Sequence, residues 1–169
     1  MNTTLILSIV YASVRMAVPL LLIALAELYS EKAGMVNIGL EGLAAIGALI
    51  GFMISYYTGN TWLGIICAAI AAILINLIYA FATISLCANH IVYGMAMNIL
   101  APALASFIYR ISFGAGNSLT QVELMNPIQI PVLSNIPFIG ELLFKQTPMV
   151  YLAFLMVPFT RIFFNKTKM

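Results

Sequence analysis

Long apolar runs dominate the chain, separated by short polar breaks. Each run is close to or above the roughly 20 apolar residues that cross a bilayer as a helix, and none alternates polar and apolar positions as a barrel strand does. The pattern predicts five helices, running from about Thr4 to Tyr29, Val36 to Tyr57, Trp62 to Leu86, Ile91 to Tyr109 and Thr147 to Phe164. Pro19 falls inside the first. Between the fourth and fifth lies a long polar segment, 110–146, which carries Gly114, Gly116, Pro127, Pro131, Pro137 and Gly140 and reads as a loop. The expected fold is an all-α polytopic membrane protein: one transmembrane domain over 1–169, with 110–146 as an external loop within it.

Composition agrees and narrows the choice. The 169 residues are 63% hydrophobic and only 7% charged, far more apolar than a soluble domain of this length needs. A net charge of +2 with no basic block gives no reason to expect nucleic acid. The first run does not read as a cleaved signal peptide, because Met1-Asn2-Thr3-Thr4 lacks a positive charge and Arg15 sits inside the apolar part. Cys67 and Cys87 are separated by roughly 30 Å of predicted helix and cannot bridge each other. Basic residues set the orientation. Arg161, Lys166 and Lys168 in the tail and Lys32 in the first connection place those segments inside, together with the Asn89-His90 loop. The N-terminus, the Tyr56–Thr61 turn and the 110–146 segment fall outside. Tyr29, Tyr56, Tyr57, Trp62, Tyr109 and Tyr151 stand near span ends, as interfacial aromatic belts do.

Small residues mark the helices that pack closely. The second carries Gly39, Gly42, Ala44, Ala45, Gly47, Ala48 and Gly51, and the third carries Gly64, Ala68, Ala71 and Ala72. In lipid such residues let backbones approach.

Polar chemistry concentrates where the first two helices meet. Three of the five acidic residues, Glu27, Glu31 and Glu41, fall there, with Asn37, Gly34, Gly39 and Gly42. Charge near hydrocarbon is costly. Glu41, between Gly39 and Gly42, reads either as a buried carboxylate fixing a helix break or as an interfacial residue among headgroups. Arg15, mid-run in the first helix, either pairs with Glu41 inside the bundle or snorkels. Asn98 and Asn76 are expected to face a bundle or cavity, since an amide turned to lipid would be unsatisfied. His90, the sole histidine, lacks the companions of a metal site and reads as a loop residue. No phosphate-binding loop, H-E-x-x-H or G-x-S-x-G motif is present, so no catalytic residue, metal or cofactor is expected.

Two blocks carry a family likeness. Glu31-Lys32-Ala33-Gly34-Met35-Val36-Asn37-Ile38-Gly39-Leu40-Glu41-Gly42 resembles the S-E-[RK]-x-G-[VM]-[VL]-N-I-G-x-E-G block of bacterial ABC importer permeases of the simple-sugar and nucleoside type, related to ribose and branched-chain amino acid permeases. Asn89-His90-Ile91-Val92-Tyr93-Gly94-Met95-Ala96-Met97-Asn98-Ile99-Leu100 resembles that family's N-Q-V-V-x-G-x-A-x-N-L-L block. The stretch from Ile130-Pro131 to Phe144 is similar to its proline-rich external loop. The likeness spans the chain in order and is nearest to nucleoside permeases served by a lipoprotein receptor.

The resemblance implies a permease subunit of an ATP-driven importer, carrying nucleosides and doing no chemistry of its own. It implies a bacterial inner-membrane, multi-pass location. The implied partners are an ABC ATPase, a second permease subunit that completes the pathway, and an external substrate-binding lipoprotein. It points to Asn37, Gly39, Glu41, Gly42, Asn89, Gly94 and Asn98 as pathway or structural motif residues. His90 stands where the family has Gln, so no substrate role transfers there. Family members are about twice as long and continue into a cytoplasmic segment that docks on the ATPase. The chain is therefore expected to be a fragment, a truncated reading frame or half of a split permease. The rival readings are a piece of an ion-coupled secondary transporter or channel, and a non-functional truncated product.

Overall fold

The computed structural model describes residues 3–114, 121–129 and 144–166. Five helices run through them: α1 (Thr3–Lys32), α2 (Leu40–Thr58), α3 (Thr61–Ala80), α4 (His90–Phe113) and α5 (Pro148–Lys166). A π-helical turn, Phe81–Ser85, extends α3. All five are long and apolar enough to cross a membrane. The polytopic all-α class expected from the hydropathy pattern holds. Large apolar residues such as Leu20, Ile73, Ile99 and Leu155 stay exposed along the helices. That pattern suits hydrocarbon, where each helix satisfies its own backbone and apolar surface carries no penalty.

The chain divides into two compact units, Met1–Lys32 with Met125–Met169, and Ala33–Leu124. In the first, α1 lies against α5 through Val18, Val150 and Ala153, with Val14, Leu21 and Leu22 around them. Near the ends of these helices the Tyr29 hydroxyl donates to Thr160 Oγ1 at 3.1 Å, and the Tyr29 ring meets Phe164 at 4.9 Å. A short antiparallel ribbon pairs β1 (Ile128–Gln129) with β2 (Lys145–Gln146). The Tyr11 hydroxyl donates to the Lys145 carbonyl at 3.1 Å, tying the ribbon to α1.

The second unit is built around α2, which packs on both α3 and α4. Its small residues make this possible. A Cβ on Gly64 would strike the Ser55 hydroxyl and lie 2.6 Å from the Gly51 carbonyl oxygen, so α2 and α3 touch backbone to backbone there. Ala68 faces Gly51 at the same seam. Gly47, the other half of the G-x-x-x-G pair, has nothing within 4 Å of its would-be Cβ. The pair therefore does not act as one contact within this unit. The α2–α3 connection is tight. Gly59, at φ +65°, closes α2, and the Asn60 side chain accepts from the Trp62 and Leu63 amides to open α3. At the far ends of α2 and α4, Phe52, Tyr56, Tyr109 and Phe113 form an aromatic cluster with ring centroids 5.0–6.4 Å apart.

Three boundaries differ from the sequence reading in ways that bear on the site. The second helix starts at Leu40, not Val36, because side chains of neighbouring helices hold Val36–Gly39 out of helical pairing. The third widens into the π turn before the chain turns through Cys87, at φ +52°. Cys87 thus lies beyond that helix, and both cysteines are free. The fourth continues past Tyr109 to Phe113, inside the segment read as loop. That segment also holds the ribbon. Its proline-rich block, and the tail residue Lys168, lie outside the described residues.

Candidate functional site

The polar junction is a node built by three asparagines on three elements. Val36, Asn37, Ile38 and Gly39 form the break before α2, and Asn37 is buried at 6% exposure. Its Oδ1 accepts from the Gly39 amide at 3.2 Å, which turns the chain into the helix. This is the local role for which asparagine is favoured over apolar residues. Its Nδ2 donates to Asn76 Oδ1 on α3 at 3.3 Å.

Asn98 reaches in from α4. Its Oδ1 accepts from the Gly42 amide at 2.8 Å, and its Nδ2 donates to the Ile38 carbonyl at 2.7 Å. A helix start leaves its first amides without intrahelical partners. Gly39, the N-cap of α2, has no side chain to serve them. The Asn98 amide supplies from another helix what a Ser or Asp cap supplies locally. The approach is close enough to exclude a Cβ. One on Gly42 would lie 2.6 Å from the Met97 carbonyl oxygen, and one on Gly94 would lie 3.0 Å from the Gly39 nitrogen.

Tyr79 completes the node from α3. Its side chain is 2% exposed, and its hydroxyl donates to the Val36 carbonyl at 3.1 Å and lies 3.4 Å from the His90 carbonyl. Its ring packs edge-on to Tyr93 at 5.4 Å. Sequence reasoning missed Tyr79. A tyrosine well inside an apolar run, away from the interfacial belts, was the available signal, since a buried phenol needs a partner.

Asn37, Gly39, Gly42, Gly94 and Asn98 therefore come together around the start of α2. Glu41 sits in its first turn but is exposed, not buried as one of the two readings had it. Glu41 is the second helical residue, and it is its neighbour Gly42 that meets α4. A carboxylate in a first turn still suits the helix dipole. Arg15, the suggested partner of Glu41, belongs to the other unit, where its guanidinium carbon lies 6.0 Å from the Tyr11 ring centroid.

Asn89 stands apart from the node and caps α4, accepting from the Ile91 and Val92 amides at 2.9 and 3.3 Å. Beside it, Gly34, Val36, Thr83, Cys87, Ala88, Asn89, His90 and Ile91 line an open cavity of about 640 Å³. His90 Nδ1 is buried there without a hydrogen-bond partner among the described residues. Among the described residues no group of three or more His, Cys, Asp or Glu could hold a metal. What the node offers is neutral hydrogen-bonding capacity, from amides and backbone groups, where the non-helical connection leads into α2.

The comparisons with known proteins fit this chemistry. The family model described as branched-chain amino acid transport system / permease component matches residues 9–169. The putative glucose ABC transporter permease protein TsgC13 of Haloferax volcanii is 36% identical over 94% of the chain. The nucleoside ABC transporter permease protein NupC of Lactococcus lactis subsp. cremoris is 35% identical over 87%, and the guanosine ABC transporter permease protein NupQ of Bacillus subtilis is 37% identical over 86%. In each case the match covers 48% of the relative, so the chain spans about half the length of the curated relatives it matches. No solved structure matches it. With the family model covering nearly the whole chain, this multi-pass membrane protein belongs to the branched-chain amino acid transport system / permease component family.

Proposed function

We propose that the chain forms part of the translocation pathway of an ATP-driven ABC importer for nucleosides, as a permease subunit without catalytic chemistry of its own. The observation that carries this reading is the family match across residues 9–169, joined to two nucleoside-type permeases among the relatives. The node supports it physically. Neutral amides at the start of a membrane helix suit an uncharged polar solute better than an ion. The importer would need a cytoplasmic ABC ATPase, a second permease subunit and an external substrate-binding lipoprotein. The site would be the bacterial cell membrane, with Asn37, Gly39, Gly42, Gly94 and Asn98 fixing the structure beside the pathway.

The glucose-type relative favours a second substrate reading, a simple sugar. Deleting the gene and measuring uptake of radiolabelled guanosine and of radiolabelled glucose separates the two. Loss of guanosine uptake alone, restored by the gene supplied in trans, is expected. Loss of glucose uptake alone would move the assignment to sugars, and loss of neither would overturn both.

A further inference from the structure

One amide in the node is only half used. Asn76 Oδ1 accepts from Asn37, yet Asn76 is exposed, and among the described residues its Nδ2 donates to nothing. Asn98 is engaged at both ends of its amide. The hydroxyls of Thr83 and Thr160 are turned back on their own helices, to Tyr79 and Met156 carbonyls. Asn76 is different because its neighbour fixes which way it faces. Asn37 donates to the oxygen, so the amino group, with its two N–H donors, is the end presented outward.

Depth makes this placement costly unless something meets it. At about 1.5 Å per residue, Asn76 lies roughly 13 Å along the axis from Ser85 and about 22 Å from Thr61, well inside the span. An amide facing hydrocarbon at that depth is strongly disfavoured. One turn away on either side stand Ala72 and Ala80, both half-buried and small, which leaves room beside the amide. The rest of the exposed surface of α3 at this level is apolar: Ile73, Leu74, Leu77 and Ile78 are 57–60% exposed and suit lipid, so Asn76 stands at the edge between that surface and the face that packs on α2.

We propose that Asn76 is a solute contact, its Nδ2 donating to an oxygen acceptor, a hydroxyl or ring carbonyl, of the uncharged polar molecule being carried. Asn37 is then a positioning residue that sets the direction of the donor. The inference rests on the permease reading given above, and its test separates the two.

Single cysteines replace Asn76 or Leu74 in a background lacking Cys67 and Cys87, within the assembled importer in cell membranes. The probe is a small hydrophilic methanethiosulfonate, with and without guanosine, and glucose as a second competitor. Asn76→Cys is expected to react and Leu74→Cys to stay unreactive, with reaction at Asn76→Cys slowed by the carried solute. In parallel, Asn76→Ala is expected to raise the apparent KM of uptake about tenfold, the loss of one hydrogen bond, at unchanged membrane abundance and little change in kcat. A role confined to packing would lower abundance instead. An unreactive Asn76→Cys, which would mark a lipid or helix-packed position, overturns the inference. So does reaction that no solute slows together with an unchanged KM. Failure of the unsubstituted importer to carry either solute would instead remove the functional reading, and the labelling contrast would still report whether this face of α3 meets water.

Discussion

Replacing Asn98 with leucine tests the node most sharply. The change keeps side-chain size and removes both hydrogen bonds, to the Gly42 amide at 2.8 Å and the Ile38 carbonyl at 2.7 Å. Gly42 N–H is one of the first amides of α2 and has no intrahelical partner to fall back on. Leaving a buried group unpaired costs roughly 1–3 kcal/mol. Polar pairs in lipid are worth less, about 0.6 kcal/mol on average, because the unfolded membrane state also finds partners. Two orphaned backbone groups, discounted in this way, give an expected loss of about 2–3 kcal/mol. Trp62, the sole tryptophan, opens α3 in the same unit and reports unfolding by fluorescence. The assay is denaturant titration in detergent micelles of the unsubstituted chain, Asn98→Leu and Leu100→Ala. Leu100 is 57% exposed, so its truncation should change little. A stability for Asn98→Leu within about 0.5 kcal/mol of the unsubstituted chain, the range of a neutral surface change, would refute the reasoning.

The close approaches predict opposite outcomes for two glycines on one helix. Gly42→Ala pushes a methyl against the Met97 carbonyl and should lose about 1–3 kcal/mol, whereas Gly47→Ala fills open space and should gain up to about 1 kcal/mol, both read in the same titration. Equal effects would show that the α2–α4 contact is not tight. Orientation is testable with the native thiol. Exposed Cys87 should react with an impermeant maleimide only after permeabilisation, while Tyr57→Cys in a Cys87→Ser background should react in intact cells. The reverse pattern would invert the assigned topology.

The helices were legible because hydrophobic runs of this length have few other physical solutions. The break before α2 was not. Val36-Asn37-Ile38-Gly39 continues the apolar pattern, and the one local signal against a helix is Asn37, whose Oδ1 accepts from the Gly39 amide at the break. The break is held open by Asn76, Tyr79 and Asn98, which are far away in sequence, and single-chain periodicity carries no trace of such tertiary bonds. Glu41 was open to two readings, and the flanking Gly39 and Gly42 that suggested a buried one serve the close approach of α4 instead, leaving the carboxylate exposed in the first turn. Asn98 was picked out correctly as an amide that must meet something polar, but its partner, the Gly42 and Ile38 backbone, could not be named. The glycines show the limit from the other side. The spacing of Gly47 and Gly51 advertises a contact, yet within this unit Gly51, Gly42, Gly64 and Gly94 lie at close approaches and Gly47 does not.

The central claim is that ATP, spent by a partner, drives an uncharged solute past this node. The direct measurement is initial uptake of radiolabelled guanosine in cells expressing the importer, with ion gradients and ATP removed separately. Ionophores that collapse the proton and sodium gradients while ATP is maintained should leave uptake intact, and ATP depletion with the gradients maintained should abolish it. Uptake that stops with the ionophores and survives ATP depletion would contradict the account and assign the chain to an ion-coupled transporter.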